Sequence, residues 1–253
     1  MAHPRIEFET DVFAPSGLTL LVDGAAQSHV DPVDPTRLFF EYVRRIGHVL
    51  DAMRPAREPI SAVHLGGGAL TLPRYVAATR LGSTQLVVDH DAEVIAIVLE
   101  RLPLPPGSGI EVVVADARDV LGPLTERPPA DVVVVDLYAR LEAPAFVDEP
   151  SFMAGCLALL APSGLVVVNV ADAPGLARLR AQARAFARAD PAAELLVAGG
   201  PAVLSGAEEG NAILVAARGG LPAGLEERLL EAGPFPAAVL TGHRLDMVLW
   251  GAC

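Results

Sequence analysis

From residue 60 onward, short apolar runs alternate with stretches whose apolar positions recur at helical spacing. The pattern predicts strands at 61–65, 85–89, 111–115, 131–135 and 164–170. Between them it predicts helices at 71–80, 91–101, 116–122, 149–160 and 174–188. Strict alternation of this kind builds an α/β fold, a doubly wound and mostly parallel sheet. The runs at 111–114, 132–135 and 165–168 are unbroken and valine-rich, as strands covered by helices on both faces must be. Segments 194–198 and 211–217 add two further apolar strands, and 236–250 supplies another, so the sheet is expected to finish with an antiparallel pair. The intervening 199–210 reads as a loop, and the proline-rich 102–109 as a surface connection.

Ahead of this alternation the pattern is different. Apolar runs at 5–8 and 18–22 are separated by Pro15-Ser16-Gly17 and followed by Asp23-Gly24, which predicts a small antiparallel β unit over 1–34. After Asp34-Pro35-Thr36, the positions Leu38, Phe39, Tyr42, Val43, Ile46, Val49 and Leu50 repeat at helical spacing. That helix belongs with the sheet in a Rossmann-like nucleoside-binding domain spanning 35–253.

Three strand ends carry the chemistry. The run Ser61 to Leu65 goes straight into Gly66, Gly67 and Gly68, where bare backbone can turn sharply and approach a ligand. The second strand closes on Asp89, followed by His90, and the third on Asp116, followed by Ala117. In a parallel sheet all three ends fall at the carboxyl edge, where ligands of open α/β sheets bind. A carboxylate there can accept hydrogen bonds from both hydroxyls of a ribose. The fourth strand ends at Asp136, on the same edge and facing whatever the nucleoside carries, although a carboxylate there can equally cap a loop. The glycines alone are compatible with a structural turn. They lack the third glycine of a dinucleotide fingerprint, and His64 and Leu70 stand where a methyltransferase loop has its acid and last glycine.

Composition narrows the chemistry. The 253 residues are 52% hydrophobic, enough for a large core. All 19 basic residues are arginine, so Schiff-base catalysis and a Walker lysine are excluded. A net charge of −12 without a basic stripe argues against nucleic acid as a partner. Cys156 and Cys253 form no zinc spacing. The six histidines, His3, His29, His48, His64, His90 and His243, form no ligand motif, so no metal is expected. No G-x-S-x-G elbow points to a serine hydrolase. Without a basic leader or a span of about 20 apolar residues, the reading is a cytoplasmic protein with no membrane partner.

The order Gln27, glycine bend, Asp89, Asp116, Asp136 resembles the spermidine synthase family of aminopropyltransferases, which have the class I methyltransferase fold. Leu21 to Gln27 is similar to the family's L-D-G-x-x-Q hairpin, and Leu65-Gly66-Gly67-Gly68 to its I-G-G-G-D-G turn. Val88-Asp89-His90-Asp91 resembles V-E-I-D, Ala115-Asp116-Ala117 resembles G-D-A, and Val135-Asp136 stands where D-S-S-D-P begins. The likeness runs from about residue 18 to 217 and includes the small β unit. It implies that decarboxylated S-adenosylmethionine donates an aminopropyl group to an amine. Asp89 would hold the ribose, Asp116 the adenine amino group, Gln27 the nucleoside from the hairpin side, and Asp136 the acceptor as catalytic base or cation anchor. It also implies a homodimer.

The chain departs from the family in places that matter for amines. The acid after the glycines is Ala69, the second acid after the fourth strand is Ala139 followed by Arg140, and Phe39 and Phe40 precede Glu41 where a tyrosine and a polar partner are expected. Glu142, Asp148 or Glu149 could compensate, or form a solvated acidic surface. Tyr138 reads as packing and Trp250 as core or interface. Two alternatives stay open: a methyltransferase using intact S-adenosylmethionine, and a non-catalytic nucleoside-binding paralogue.

Overall fold

The computed structural model describes residues 4–138 and 143–251. Three strands, β1 (Ile6–Thr10), β2 (Leu18–Val22) and β3 (Ala25–Val30), form a small antiparallel sheet in that order. Helix α1 (Glu41–Ala52) leads into β4 (Ser61–Leu65), α2 (Thr71–Thr79), β5 (Thr84–Asp89), α3 (Ala92–Arg101), β6 (Ile110–Val114), α4 (Ala117–Leu124) and β7 (Ala130–Val135). A 3-10 turn at Ala145–Asp148 precedes α5 (Pro150–Ala158), the long β8 (Leu160–Asp172) and α6 (Ala177–Ala189). The chain continues through β9 (Glu194–Gly199), α7 (Pro201–Leu204), β10 (Gly210–Ala217), α8 (Leu225–Ala232), β11 (Ala238–Thr241) and α9 (Gly242–Trp250).

The large sheet has eight strands in the order β11-β9-β10-β8-β7-β4-β5-β6. Strands β4 to β8 are parallel, and β10 pairs antiparallel with both β8 and β9. This is the class I methyltransferase arrangement, here with β11 added antiparallel at the β9 edge. The valine runs at 132–135 and 165–168 are buried as their composition predicts, whereas the run at 111–114 is not: it lies in β6, the edge strand, where Glu111 is exposed and Val114 is 49% exposed. Val132 and Val134 face α1 and α2, while Val133 and Val135 face α5, and all four are essentially unexposed. Burial of each such side chain contributes about 1.5–3 kcal/mol, which holds the carboxyl end of β7 firmly in the sheet.

Three expectations need correction. Segment 236–250 is one short strand followed by a helix: Gly242, at φ +49°, breaks the extended run, and Leu245 and Leu249 recur at helical spacing to meet the core. The 199–210 stretch contains a turn of helix, started by Pro201 and packed through buried Leu204. Trp250, expected in the core or at an interface, is not in the core: it is 40% exposed, its indole nitrogen donating to Asp246 at 3.2 Å. No helix among the described residues is long and apolar enough to cross a membrane.

Arg80 fixes α1 against the start of β5. Its guanidinium is buried and donates to the carbonyls of Leu50, Asp51, Arg54, Pro55 and Glu58. These oxygens include the unpaired carbonyls that every helix leaves at its carboxyl end, where the macrodipole also favours a cation. The position of α1 matters because the site takes a side chain from it.

Candidate active site

Strand order reverses beside β4, which has β5 on one side and β7 on the other. At that switch point the carboxyl ends of β4, β5, β6 and β7 open into a hollow of about 1230 Å³, roofed in part by the β2–β3 hairpin. Gln27, Gly66, Gly67, Gly68, Asp89, His90, Asp116, Ala117 and Asp136 all line it. The sequence therefore placed these residues on one cavity.

The glycine bend is set by its neighbours. Gly66, at φ +97°, donates its N–H to the Val88 carbonyl at 2.8 Å, and a Cβ there would overlap the Asp136 carbonyl oxygen. At Gly68, φ +49°, a Cβ would lie 2.9 Å from Ser28 Oγ, so the hairpin packs directly on the bend. The Thr71 hydroxyl donates to the His29 carbonyl at 2.8 Å and ties α2 to β3. Ala69 is fully buried beside Leu20 and Val30 and brings no carboxylate to the hollow.

Asp89 closes the bend from β5. Its Oδ2 accepts from Gly67 N–H at 2.7 Å and its Oδ1 from Asp91 N–H at 2.9 Å, and an ionised carboxylate has further lone pairs to offer. His90 is mostly exposed, its Nδ1 3.7 Å from Asp89 Oδ1. Gln27 reaches the hollow from β3, and buried Ala117 opens α4.

Asp116 has a second occupation. It caps α4 through Arg118 N–H at 2.9 Å and pairs with the Arg118 guanidinium at 2.8 and 3.2 Å, which holds its carboxyl below the usual carboxylate range. Arg118 in turn lies over the Phe146 ring, 4.8 Å from its centre. An adenine amino group would share this carboxylate with Arg118 or displace it.

Asp136 is the acid of the hollow whose carboxyl is raised by burial. Asn169 Nδ2 donates to its Oδ1 at 2.8 Å, and Asn211 Nδ2 donates at 2.8 Å to Asn169 Oδ1, so the amide orientation is chained across β8 and β10. The Tyr42 hydroxyl of α1 faces the same carboxylate and favours its charged form. Burial nonetheless wins and raises the Asp136 pKa, while burial and the facing carboxylate push that of Tyr42 well up.

Tyr42 corrects the reading of the first helix. Phe39 stacks on His29 with ring centres 4.5 Å apart and Phe40 stands at the N-cap position of α1, while Tyr42, in the first turn of that helix, turns its phenol to the Asp136 carboxylate. Asn169 and Asn211 were also missed. Their signal was in plain view, since each is a polar residue within an otherwise apolar strand.

Tyr138 is structural: its hydroxyl accepts from Ala171 N–H at 2.5 Å and donates to the Asn169 carbonyl at 3.1 Å. Of the possible compensating acids, Glu149 lines the hollow, whereas Asp148 accepts from Gln182 at 3.0 Å on the helical side. Ala139, Arg140, Glu142, His3 and Cys253 lie outside the described residues. Among the described residues no group of three or more His, Cys, Asp or Glu could hold a metal.

No family model matches the chain, and no curated protein does. Solved structures do. A probable spermidine synthase from Corynebacterium glutamicum superposes with a TM-score of 0.86 at 26% identity, over 100% of this chain and 95% of that one. The chain is spermidine synthase-like in its whole architecture. The spermidine synthase of Thermotoga maritima matches at TM-score 0.62 and 16% identity, covering 97% of this chain and 84% of its own. Human methyltransferase-like protein 13, in complex with SAH, matches at TM-score 0.59 and 19% identity over 77% of this chain and 90% of its own. The second and third likenesses concern the fold alone, and the spermidine synthase-like chain shares that fold with methyltransferases.

Proposed function

We propose that the protein is an aminopropyltransferase, moving an aminopropyl group from decarboxylated S-adenosylmethionine to an amine. The observation that carries this reading is Asp136: a carboxylate of raised pKa, held by Asn169, faced by Tyr42, on the same hollow as the glycine bend. The donor's ribose would rest on the free lone pairs of Asp89, its adenine against Asp116 and Ala117, and Gln27 would close over it from the hairpin, with His90 at the rim.

In the reaction the acceptor nitrogen attacks the propyl carbon bonded to sulfur, the carbon–sulfur bond breaks, and its electron pair returns to sulfur to give neutral methylthioadenosine. The attacking nitrogen must shed a proton, and Asp136 takes it. Elevated basicity suits that task, because a carboxylate with an ordinary pKa is a poor base near neutrality. Holding donor and acceptor together in one hollow supplies much of the remaining acceleration.

The test is incubation of the purified protein with the decarboxylated donor and a panel of diamines and polyamines, read by mass spectrometry. The expected result is methylthioadenosine and an aminopropylated amine in equal amounts. Tighter calorimetric binding of intact S-adenosylmethionine would overturn the assignment in favour of methyl transfer, which the buried Ala69 would tolerate. Methylthioadenosine binding without turnover on any amine would make the chain a non-catalytic nucleoside binder.

A further inference from the structure

His64 is a polar residue that the proposed reaction leaves unused. It lies on β4 two residues before Gly66, is 2% exposed, and lines the hollow. Its ring shares a sheet face with Val134 of the neighbouring strand, to which it is directly paired, and so looks toward the α1 side where Tyr42, Val43 and Asp136 border the cavity.

The tautomer is fixed by its partner. Gln85 Nε2 donates to the Pro73 carbonyl at 2.9 Å, which leaves Gln85 Oε1 as an acceptor, and His64 Nε2 lies 3.0 Å from that oxygen. Nε2 therefore carries the hydrogen and Nδ1 a bare lone pair. Burial keeps the ring neutral by lowering its pKa to about 4. Nδ1 has no hydrogen-bond partner among the described residues, yet it is not sealed away like the unpartnered Nδ1 of His29. A buried acceptor in a polar network finds a donor, from protein, water or ligand.

We propose that His64 Nδ1 accepts a hydrogen bond from the terminal ammonium of the aminopropyl donor. The inference rests on the aminopropyltransferase reading above. A neutral nitrogen acceptor suits an ammonium without adding a second buried charge beside Asp136. It has no attraction for a carboxylate, so it also favours the decarboxylated donor over the intact one.

Calorimetry with methylthioadenosine, which has the nucleoside but no amine, and with the decarboxylated donor separates the two ideas. The wild-type chain is expected to prefer the donor by roughly tenfold or more, the effect of one hydrogen bond to a charged group. His64→Gln keeps a donor toward Gln85 but removes Nδ1, and should bring the two affinities together while leaving that for methylthioadenosine unchanged. His64→Asn, which places an oxygen near the Nδ1 position, should retain the preference. An unchanged preference in His64→Gln overturns the proposal and leaves the nucleoside site standing. Failure of the wild-type chain to bind either compound removes the functional reading itself. Should the variants not fold, the ¹⁵N shift of His64 Nδ1 in the wild-type chain serves: it should move with the decarboxylated donor and not with methylthioadenosine, and equal response to both overturns the proposal.

Discussion

Asn169 Nδ2 donates to Asp136 Oδ1 at 2.8 Å, and because Asn169 Oδ1 is itself held by Asn211, the amide cannot turn to offer its oxygen to the carboxylate. The acid is therefore oriented by two adjacent strands of the sheet. One of its oxygens is occupied before any substrate arrives.

Replacing Asp136 by Asn should preserve this geometry and remove the base. Turnover should fall by about 10²–10⁴-fold, the usual contribution of a positioned proton acceptor. Methylthioadenosine affinity should stay within a factor of about two, since the residues proposed to hold the nucleoside lie on β3 and at the ends of β4 to β6, away from Asp136 on β7. Loss of nucleoside binding in this variant would show that the acid sits elsewhere in the reaction.

The pH profile of kcat/KM should carry an acid limb from Asp136, because only its ionised form accepts a proton. Burial raises the Asp136 pKa, so the limb should lie above the ordinary carboxylate range, and activity should climb as pH rises through it. Tyr42→Phe removes a group that lowers this pKa, and should shift the limb to still higher pH while reducing the rate at neutrality. A limb that does not move would separate Tyr42 from the acid.

At Asp89, substitution by Ala should abolish nucleoside binding measurably by calorimetry. It also leaves the Gly67 and Asp91 N–H groups without their acceptor, at a cost of about 1–3 kcal/mol in unfolding free energy. Retained affinity in the variant would take the ribose away from this residue.

Folding stability should decline as pH falls from about 6.5 toward about 4, the interval between the ordinary value for histidine and that of buried His64. Over this range the unfolded chain binds a proton that the folded chain refuses, so the slope of stability against pH is positive; below both values the loss is complete, at about 3 kcal/mol for this group. His29 and His48, also lowered by burial, add in the same direction. Denaturant titrations at a series of pH values should show a shallower slope in His64→Gln.

Gly66→Ala should fail to accumulate as folded protein, because its methyl group overlaps the Asp136 carbonyl and the backbone is held at φ +97°. Gly107→Ala, with φ +75° but open space around it, is the control and should cost only about 1–2 kcal/mol.

The sheet and its carboxyl edge were readable because both are periodic or terminal features. Unbroken valine runs mark buried parallel strands, and a glycine cluster or an aspartate at the end of each marks the edge. What escaped depends on contacts between distant segments. Tyr42 looked like one more apolar position on α1, since nothing in its local spacing says that β7 ends opposite it. Asn169 and Asn211 acquire meaning only when β8 and β10 pair. The segment 236–250 contains both a strand and a helix, and its strong apolar content at each spacing concealed the change at Gly242.

The overlap that forbids a side chain at position 66 also welds the donor's turn to the backbone of the acid. The floor of the cleft is thus a rigid ledge whose two halves cannot drift apart. Admission of a bulky acceptor, and the evolution of a new one, must be accommodated by the roof: the hairpin bearing Gln27 and the segment around Phe146 and Glu149.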